Sequence, residues 1–210
     1  MRAMLDFERA LAGAEADAGV IPHDAAQVIA MACADLSPSP EVLAAEGKHS
    51  GSLAVPLAKM LTEQVARADA RAAAFVHYGS TSQDVLDTAL ILCLKPCLAD
   101  ADGVLGTAVS RLGGHARRHA GVVMLGRTLM QPATPITAGL KIARWAAALH
   151  RCRLRLGVAR DRALCIQLGG AVGTLDALAG KRAAVRRGVA ERLGLSEARC
   201  GTTTATSCSA

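Results

Sequence analysis

Aromatic side chains are almost absent from this chain of 210 residues, which contains one Trp, one Tyr and two Phe. Ala and Leu supply most of the 51% hydrophobic content. This composition favours closely packed helices over a β-sheet, which is usually richer in Val, Ile, Tyr and Phe. With a charged fraction of 20%, the chain is expected to be globular rather than disordered.

Long apolar runs are also missing, and none approaches the roughly 18 residues that cross a bilayer. No basic-then-apolar leader with a cleavage site is found. The sequence therefore predicts a cytoplasmic protein with no membrane segment. Its 7 cysteines are scattered, without a CxxC pair or a His partner at zinc spacing. They are interpreted as reduced thiols packed like small apolar groups, and no metal site is expected.

The net charge of +6 is compatible with attraction of a polyanionic small molecule. The basic run "KRAAVRRGVAER" (181–192) has its charges at helical spacing, which is typical of a solvated helix face. Because no aromatic residues alternate with these charges for base stacking, the sequence argues against nucleic-acid binding.

Helical periodicity dominates the chain. Start and stop signals predict a first, irregular helical domain over residues 1–82, with helices at 4–19, 23–36, 37–47 and 55–76. From Gln83 to about His119, leucines recur every four residues and predict one long helix. Pro96 lies inside it and should kink the helix or remove one hydrogen bond.

A turn at 121–131 is expected to lead into a second long helix at 134–164, and a last helix is expected at 178–193. The sequence thus predicts an all-α fold, with part of an elongated helical bundle over residues 83–200 after the small helical domain. The final stretch, "CGTTTATSCSA" (200–210), lacks helical character, so residues 201–210 are interpreted as a low-complexity tail.

Polar side chains gather in three stretches, each beside a long helix: "HYGSTSQD" (77–84), "GRTLMQPATPITAG" (126–139) and "QLGGAVGT" (167–174). Helix N-termini present free backbone N–H groups and a positive dipole end, both of which suit carboxylates. Glycines in the third stretch allow the backbone to approach a ligand closely. Side-chain donors come from Ser80, Thr81, Ser82, Gln83, Thr128 and Gln131.

Simpler readings of these stretches stay open. Thr81 or Ser82 could merely cap the long helix, and His77 could be a structural histidine. The glycine-rich stretch lacks a following Lys-Ser/Thr and, by prediction, a preceding strand, so it is not interpreted as a phosphate-binding loop.

The order of these stretches and their amino-acid sequences resemble those of the fumarase/aspartase superfamily. "VHYGSTSQDVLDTA" is similar to its first signature and "GRTLMQPATPITAGLKIARW" to its second. The resemblance implies a helical homotetramer with each active site built from three subunits, a small polycarboxylate substrate and no cofactor. It implies that His77 is catalytic, as a proton relay or carboxylate contact. The implied substrate-binding residues are Ser80, Thr81, Ser82, Gln83, Arg127, Thr128, Gln131, Gly170 and Thr174.

Leu129 distinguishes branches of the superfamily. Members that release fumarate have a proton-transferring His at this point of the second signature, and a leucine cannot carry a proton. The apolar residue, together with Lys141 and Trp145, resembles the cycloisomerase branch. A lyase that releases fumarate from a succinyl adduct is the second hypothesis, and a non-catalytic helical interaction protein is the third.

Two departures from the superfamily lead to a further expectation. A helix usually precedes the point where this sequence begins, and the third signature, a Gly-Ser-Ser-x-Met-Pro-x-Lys loop with the catalytic serine, is not found. The chain is therefore expected to be a truncated form with weak or no activity of its own. Residues 201–210 are hypothesised to be the product of a frameshift.

Overall fold

The computed structural model describes residues 1–197 and is mostly helical, which confirms the predicted fold class. Two 3-10 helices, Ala72–Phe75 and Asp176–Lys181, and two small sheets accompany the α-helices. In chain order, the other elements are α1 (Arg2–Asp17), α2 (His23–Asp35), α3 (Pro40–Ser50), α4 (Ala54–Ala68), α5 (Ser82–Arg118), β1 (Val123–Thr128), β2 (Gln131–Thr137), α6 (Ala138–Ala163), β3 (Cys165–Ile166), α7 (Arg182–Leu193) and β4 (Ser196–Glu197).

The chain divides into two compact units. Unit 1 consists of Met1–Leu94 and Leu164–Ala210, and unit 2 of Lys95–Ala163. The domain boundaries expected from the sequence, after residues 82 and 200, stay predictions. The tail at 201–210 and its hypothesised frameshift lie outside the described residues.

The core of unit 1 is organised around α1, which packs against α2 and α7. Apolar residues recur along α1 on more than one side, so Leu5, Phe7 and Leu11 are all almost fully buried. Each such side chain contributes about 1.5–3 kcal/mol by leaving water. Gly188 of α7 lets α7 approach α1 closely, because a Cβ at this position would lie 2.9 Å from the Cβ of Ala14 in α1.

Helix α5 is continuous over its 37 residues, which confirms the single long helix predicted from the leucine spacing. Pro96 lies within it without ending it. All residues of α5 are described, and its buried ones, Asp84, Val85, Thr88 and Ala89, fall in the first two turns. The side chains that follow are therefore partly or fully exposed in this chain.

Unit 2 joins the rest of α5 to α6 by close backbone packing and one ion pair. A Cβ at Gly139 would lie 2.6 Å from the carbonyl oxygen of Ala116, so only glycine fits there. Arg153 donates two hydrogen bonds to the carboxylate of Asp102, at 2.7 and 2.9 Å. This paired geometry is the strong form of an Arg–carboxylate contact.

An antiparallel hairpin of β1 and β2 stands where the sequence predicted a turn and the start of a helix. The expectation that the second long helix begins at residue 134 was wrong, since α6 begins at Ala138. Pro132 and Pro135 explain the difference: proline lacks an N–H and disfavours helical conformation before it, but is tolerated in edge strands. Both strands of a two-stranded sheet are edges, and a register shift between Leu125 and Arg127 adjusts the pairing.

Two smaller expectations near the end of the chain also needed correction. Strand β3 precedes the glycine-rich stretch and pairs in parallel with β4, although no strand was expected there. The last α-helix begins at Arg182 rather than at residue 178, because Ala179 has a non-helical backbone with φ 44°. The stretch still lacks the Lys-Ser/Thr of a phosphate-binding loop.

Among the described cysteines, Cys33 is packed as the sequence suggested and Cys165 is half-buried. Cys33 is fully buried in unit 1, whereas Cys93, Cys97 and Cys152 are exposed, so the expectation of packed thiols was wrong for these three. Within residues 1–197, no single helix has the length and apolar character needed to cross a membrane, although α2 and α3 taken together as a bent pair pass that test.

Candidate functional site

The sequence-predicted site residues fall into both units. His77, Ser80, Thr81, Ser82, Gln83, Gly170 and Thr174 belong to unit 1, and Arg127, Thr128 and Gln131 to unit 2. In unit 1 the structure brings the first and third polar stretches together at the N-terminus of α5. The second stretch forms the tip of the hairpin in unit 2.

Asp84 is the residue that joins the first stretch to the third. Its carboxylate is 1% exposed and accepts hydrogen bonds from the backbone N–H groups of Gly169 at 2.9 Å and Gly170 at 3.0 Å. It also accepts from the backbone N–H of Thr81 at 3.0 Å and from its hydroxyl at 3.3 Å. Thr81 thus occupies the N-cap of α5 and Asp84 the third helical position, as in a capping box.

Thr88, one turn further along α5, makes a second connection between the same stretches. Its buried hydroxyl donates to the carbonyl oxygen of Gln167 and accepts from the N–H of the same residue, both at 2.9 Å. The threonine therefore satisfies the backbone of Gln167 where no water can reach it. Together with Asp84, it fixes the glycine-rich stretch along the first turns of α5.

Gly170 allows the two loop backbones to cross. A Cβ on this residue would lie 3.0 Å from the carbonyl oxygen of Gly79, and its φ of +69° is one that glycine adopts without strain. The sequence had suggested that glycine here admits a ligand to the backbone. The structure shows instead that the N–H of Gly170 is hydrogen-bonded to Asp84. The side of Gly170 where a Cβ would stand lies against the backbone of Gly79.

His77 forms a polar cluster with Glu8 of α1 and with Ser80. Its Nδ1 lies 2.6 Å from Oε1 of Glu8 and 3.0 Å from Oγ of Ser80. Burial acts to lower the pKa of His77, but the hydrogen bond and charge of Glu8, helped by Asp84, outweigh it and raise the pKa above its usual value. The ring is therefore biased toward the imidazolium form.

A second buried carboxyl group lies on the same helix as Glu8. Glu15 is fully buried, and neither of its oxygens has a hydrogen-bond partner among the described residues. Burial, reinforced by the charge of Glu8, raises the pKa of Glu15 from 4.5 to about 9. Glu15 is therefore a neutral carboxylic acid at pH 7, whereas Glu8 is paired with His77.

The remaining predicted residues of unit 1 are more accessible. Ser82 is half-buried in the first turn of α5, and Gln83 is exposed and donates to the carboxylate of Asp87 at 2.6 Å. Thr174 is exposed, and its carbonyl oxygen accepts a hydrogen bond from Arg182 at 2.9 Å. The hydroxyls of Ser82 and Thr174 have no hydrogen bond within residues 1–197.

The hairpin tip of unit 2 exposes part of the second polar stretch, residues 127–131, to solvent. Thr128 and Gln131 are paired at the ends of the strands, and Arg127 precedes them; all three are exposed. Leu129 and Met130 form the connection with φ values of 46° and 63°, and are 93% and 90% exposed. Two positive φ values in a two-residue hairpin connection are those of a type I′ turn, which Asn and Gly usually occupy.

Three residues that organise the candidate site escaped the sequence-based prediction. Asp84 carried a usable signal, because Thr81 three residues earlier completes a Thr-x-x-Asp cap pattern. Glu8 and Thr88 had none, since their partners lie 69 and 79 residues away along the chain.

The arrangement in unit 1 suits an anionic ligand. It combines a histidine biased toward its charged form with hydroxyl groups at the N-terminus of a long helix, whose dipole is positive at that end. No group of three or more His, Cys, Asp or Glu able to hold a metal ion occurs among residues 1–197.

Comparison with known families gives a match over the whole sequence. The model of a lyase family matches residues 1–210. A 3-carboxy-cis,cis-muconate cycloisomerase of Bradyrhizobium diazoefficiens is 46% identical over 192 residues, which cover 91% of this chain and 43% of the relative. An adenylosuccinate lyase of Methanocaldococcus jannaschii is 34% identical, with 91% of this chain and 41% of the relative covered.

A solved structure agrees with these sequence relatives. The crystal structure of 3-carboxy-cis,cis-muconate lactonizing enzyme from Pseudomonas putida superposes with a TM-score of 0.90 at 41% identity. The match covers 95% of this chain and 45% of that chain. This chain therefore spans less than half the length of the relatives it matches.

Proposed function

Because the chain belongs to this lyase family, we propose that it is a 3-carboxy-cis,cis-muconate cycloisomerase, an enzyme of the protocatechuate branch of the β-ketoadipate pathway. The proposed reaction is an intramolecular lactonisation of a small polycarboxylate. The expected cytoplasmic location and the lack of a cofactor belong to the same proposal.

The chemistry follows from the substrate's own groups. One carboxylate oxygen adds to a carbon of the conjugated double bonds and forms the ring C–O bond, while the displaced π-electron pair moves toward another carboxylate. The carbon next to that carboxylate then takes up a proton from an acidic group or from water. The intermediate carries its negative charge on that second carboxylate, in an enolate-like form. Catalysis therefore requires hydrogen-bond donors already placed around a carboxylate. Because the nucleophile is part of the substrate, its proximity is supplied without a second binding event.

Each predicted site residue receives a role in this proposal. The hydroxyls of Ser80 and Ser82 and the amide of Gln83 bind substrate carboxylates at the start of α5, and Thr81, whose hydroxyl donates to Asp84, caps this helix. Arg127, Thr128 and Gln131 bind substrate carboxylates from the hairpin tip and Thr174 from the glycine-rich stretch, whereas Gly170, whose N–H is bonded to Asp84, holds that stretch in place. His77 acts as the charged group of the site. Support comes from the N-terminal position of these donors on α5 and from the raised pKa of His77.

The observation that favours a cycloisomerase over a fumarate-releasing lyase is Leu129. It occupies the exposed turn between β1 and β2, directly between the predicted contact residues Thr128 and Gln131. A leucine there offers no proton to a leaving group. The oxygen that adds in a lactonisation belongs to an unprotonated carboxylate, so that oxygen needs no proton from this position.

We also propose assembly into a homo-oligomer, with a tetramer as in the resembling superfamily. Support comes from the large apolar side chains that are exposed along the two long helices of this chain. These include Leu90, Leu94, Val104, Trp145, Leu154 and Val158.

The function is tested with a chimera in which residues 1–197 replace the matching segment of the Pseudomonas putida enzyme. We expect the chimera to consume 3-carboxy-cis,cis-muconate in an ultraviolet assay. Thr128→Val should lower the rate about 10²- to 10³-fold, the usual effect of removing one transition-state donor. Thr134→Val, on the same hairpin, is the matched control and should change little, because Thr134 has no predicted role.

The other two hypotheses make different predictions in the same experiment. A chimera that releases fumarate from adenylosuccinate and leaves the muconate unchanged would support the lyase. A folded chimera with neither activity, together with calorimetry that detects no binding of tricarboxylates, would support a non-catalytic helical protein.

A further inference from the structure

The pairing of Glu8 with His77 is a buried ionic contact between distant parts of unit 1. Oε1 of Glu8 lies 2.6 Å from Nδ1 of His77, and the Glu8 side chain is only 2% exposed. A separation this short between a carboxylate and an imidazole nitrogen is typical of a charge-assisted hydrogen bond. The two residues are 69 positions apart in sequence, so the contact forms only when the α1 core and the loop at 77–84 are both folded.

Burying Glu8 removes its carboxyl group from water, which is unfavourable in free energy. A buried carboxylate loses several kcal/mol of hydration unless a charged partner compensates. Glu15, two turns along α1, has no such partner and has its pKa raised to about 9, so it stays neutral. Of the two buried carboxyl groups, only Glu8 is in contact with a histidine.

The backbone of His77 is held in an unusual conformation that serves this contact. Its φ is 59°, in the left-handed region that residues other than glycine seldom adopt. The N–H of Ser80 donates to the carbonyl of His77 across this turn, and Oγ of Ser80 lies 3.0 Å from Nδ1. Such strain persists where surrounding contacts determine it, and it is concentrated at functional sites.

These contacts leave one ring nitrogen for a ligand. Nδ1 faces Glu8 and Ser80, whereas Nε2 has no hydrogen-bond partner within the part of the chain that is described. The His77 side chain retains 22% of its surface exposed, so the ring is not closed off from solvent. The charged groups that act on this ring are Glu8 from α1 and Asp84 from α5, and the charge of Glu8 also contributes to the raised pKa values of Glu15 and Cys33.

We propose that Glu8 is a positioning residue that holds His77 as an imidazolium, with Nδ1–H donated to Glu8 and Nε2–H kept for a substrate carboxylate. The role in substrate binding rests on the proposed function; the charge state does not. His77 then acts as a fixed cation rather than as a general base at neutral pH, since an imidazolium has no lone pair to accept a proton.

Nitrogen-15 NMR of the purified chain tests the charge state directly. In a pH titration, both ring nitrogens of His77 should show protonated-type shifts at pH 7. In Glu8→Gln, burial acts without the compensating charge, so the apparent pKa of His77 should fall and imidazolium at pH 7 should be lost. Glu8→Asp, which keeps the charge on a shorter side chain, should restore part of the shift. Glu46→Gln, an exposed glutamate on α3, is the control and should leave the His77 titration unchanged.

The binding role is read from the same spectra after addition of tricarballylate, a stable tricarboxylate. The Nε2 resonance of the wild-type chain should shift at pH 7, and the shift should disappear in Glu8→Gln. A neutral His77 at pH 7 in the wild type, or a titration that Glu8→Gln does not move, would overturn the pairing whether or not the variant is less stable. An unmoved Nε2 resonance would overturn the binding role. None of these NMR measurements depends on catalytic turnover. Their outcome is therefore independent of the ultraviolet assay that tests the proposed function.

Discussion

The carboxylate of Asp84 and the backbone N–H of Gly170 are joined by a hydrogen bond of 3.0 Å between residues 86 positions apart. This contact, with the matching one to Gly169, fixes the third polar stretch to the first turn of α5. Because four donors converge on it, the carboxylate is saturated and is not itself available to a ligand. Asp84 is therefore a structural organiser of the candidate site.

Replacing Asp84 by Asn should destabilise unit 1. The amide NH₂ would face N–H groups that now meet an oxygen, and a hydrogen bond to a charged group is worth about 1.5–3 kcal/mol. We expect a loss of about 3 kcal/mol or more in the free energy of unfolding, measured by urea denaturation. Asp35→Asn, at an exposed position, is the control and should stay within about 0.5 kcal/mol of wild type. Equal stabilities of the two variants would contradict the bridging role.

Comparing the stability of Gly170→Ala with that of Gly19→Ala distinguishes the effect of a steric clash from the effect of backbone strain. Both glycines have a φ of +69°, but a Cβ at Gly19 meets nothing within 4 Å, whereas one at Gly170 lies 3.0 Å from the oxygen of Gly79. The shared left-handed conformation should cost each variant about 1 kcal/mol. Gly170→Ala should lose more, because the loops must separate. A smaller loss than in Gly19→Ala, measured by thermal or urea unfolding, would show that the loops adjust freely.

The buried acid Glu15 should make stability depend on pH. Its pKa is raised from 4.5 to about 9 on folding, so between these values the unfolded chain is ionised while the folded chain keeps the proton. Stability from this group is therefore intact below pH 4.5 and falls with rising pH by about 1.4 kcal/mol per unit until pH 9 is reached.

Glu15→Gln removes this dependence and should be more stable than wild type at pH 8, by a few kcal/mol, with little difference at pH 4. The measurement is urea unfolding at both values of pH, and Glu46→Gln is the exposed control. A variant that is less stable than wild type at pH 8 would mean that Glu15 is ionised in the folded chain.

The turn between β1 and β2 should be improved by residues that suit its backbone. Leu129 and Met130 both have positive φ, which costs an L-residue about 1 kcal/mol or more. Leu129→Asn with Met130→Gly matches a type I′ turn and should slow amide hydrogen exchange in the strands, by a few-fold or more. Leu125→Asn, within β1 rather than the turn, is the control and should not do so. Faster exchange in the double variant would contradict the assigned turn.

The sequence predicted the elements whose physics is local. Leucines every four residues gave the long helix α5, and the ends of α2 fell within one residue of those expected. The hairpin was missed because its signals are contradictory: Pro132 and Pro135 suggest a loop, and Leu129-Met130 is an unusual turn pair. Its strands are recognisable only once they pair.

Within the candidate site, the donors at 80–83 could be identified from the sequence, but the contacts that organise them could not. Glu8 was visible only as one position on the spacing of a predicted helix, and Thr88 as an ordinary helical residue. Their partners, His77 and the backbone of Gln167, lie far away along the chain. A pair that forms through tertiary contact leaves no trace in local composition, so its members become evident only in the folded structure.

The buried residues of α5 all lie between positions 84 and 89. The helix should therefore have two parts that differ in how well they tolerate substitution. Substitutions at the four buried positions should reduce the yield of folded protein in cells. Those beyond residue 90, apart from Asp102 and Gly106 beside Arg153, should leave folding of this chain intact and alter how readily it self-associates or precipitates. A saturation library of this one helix, sorted separately for abundance and for solubility, would therefore give two maps that scarcely overlap.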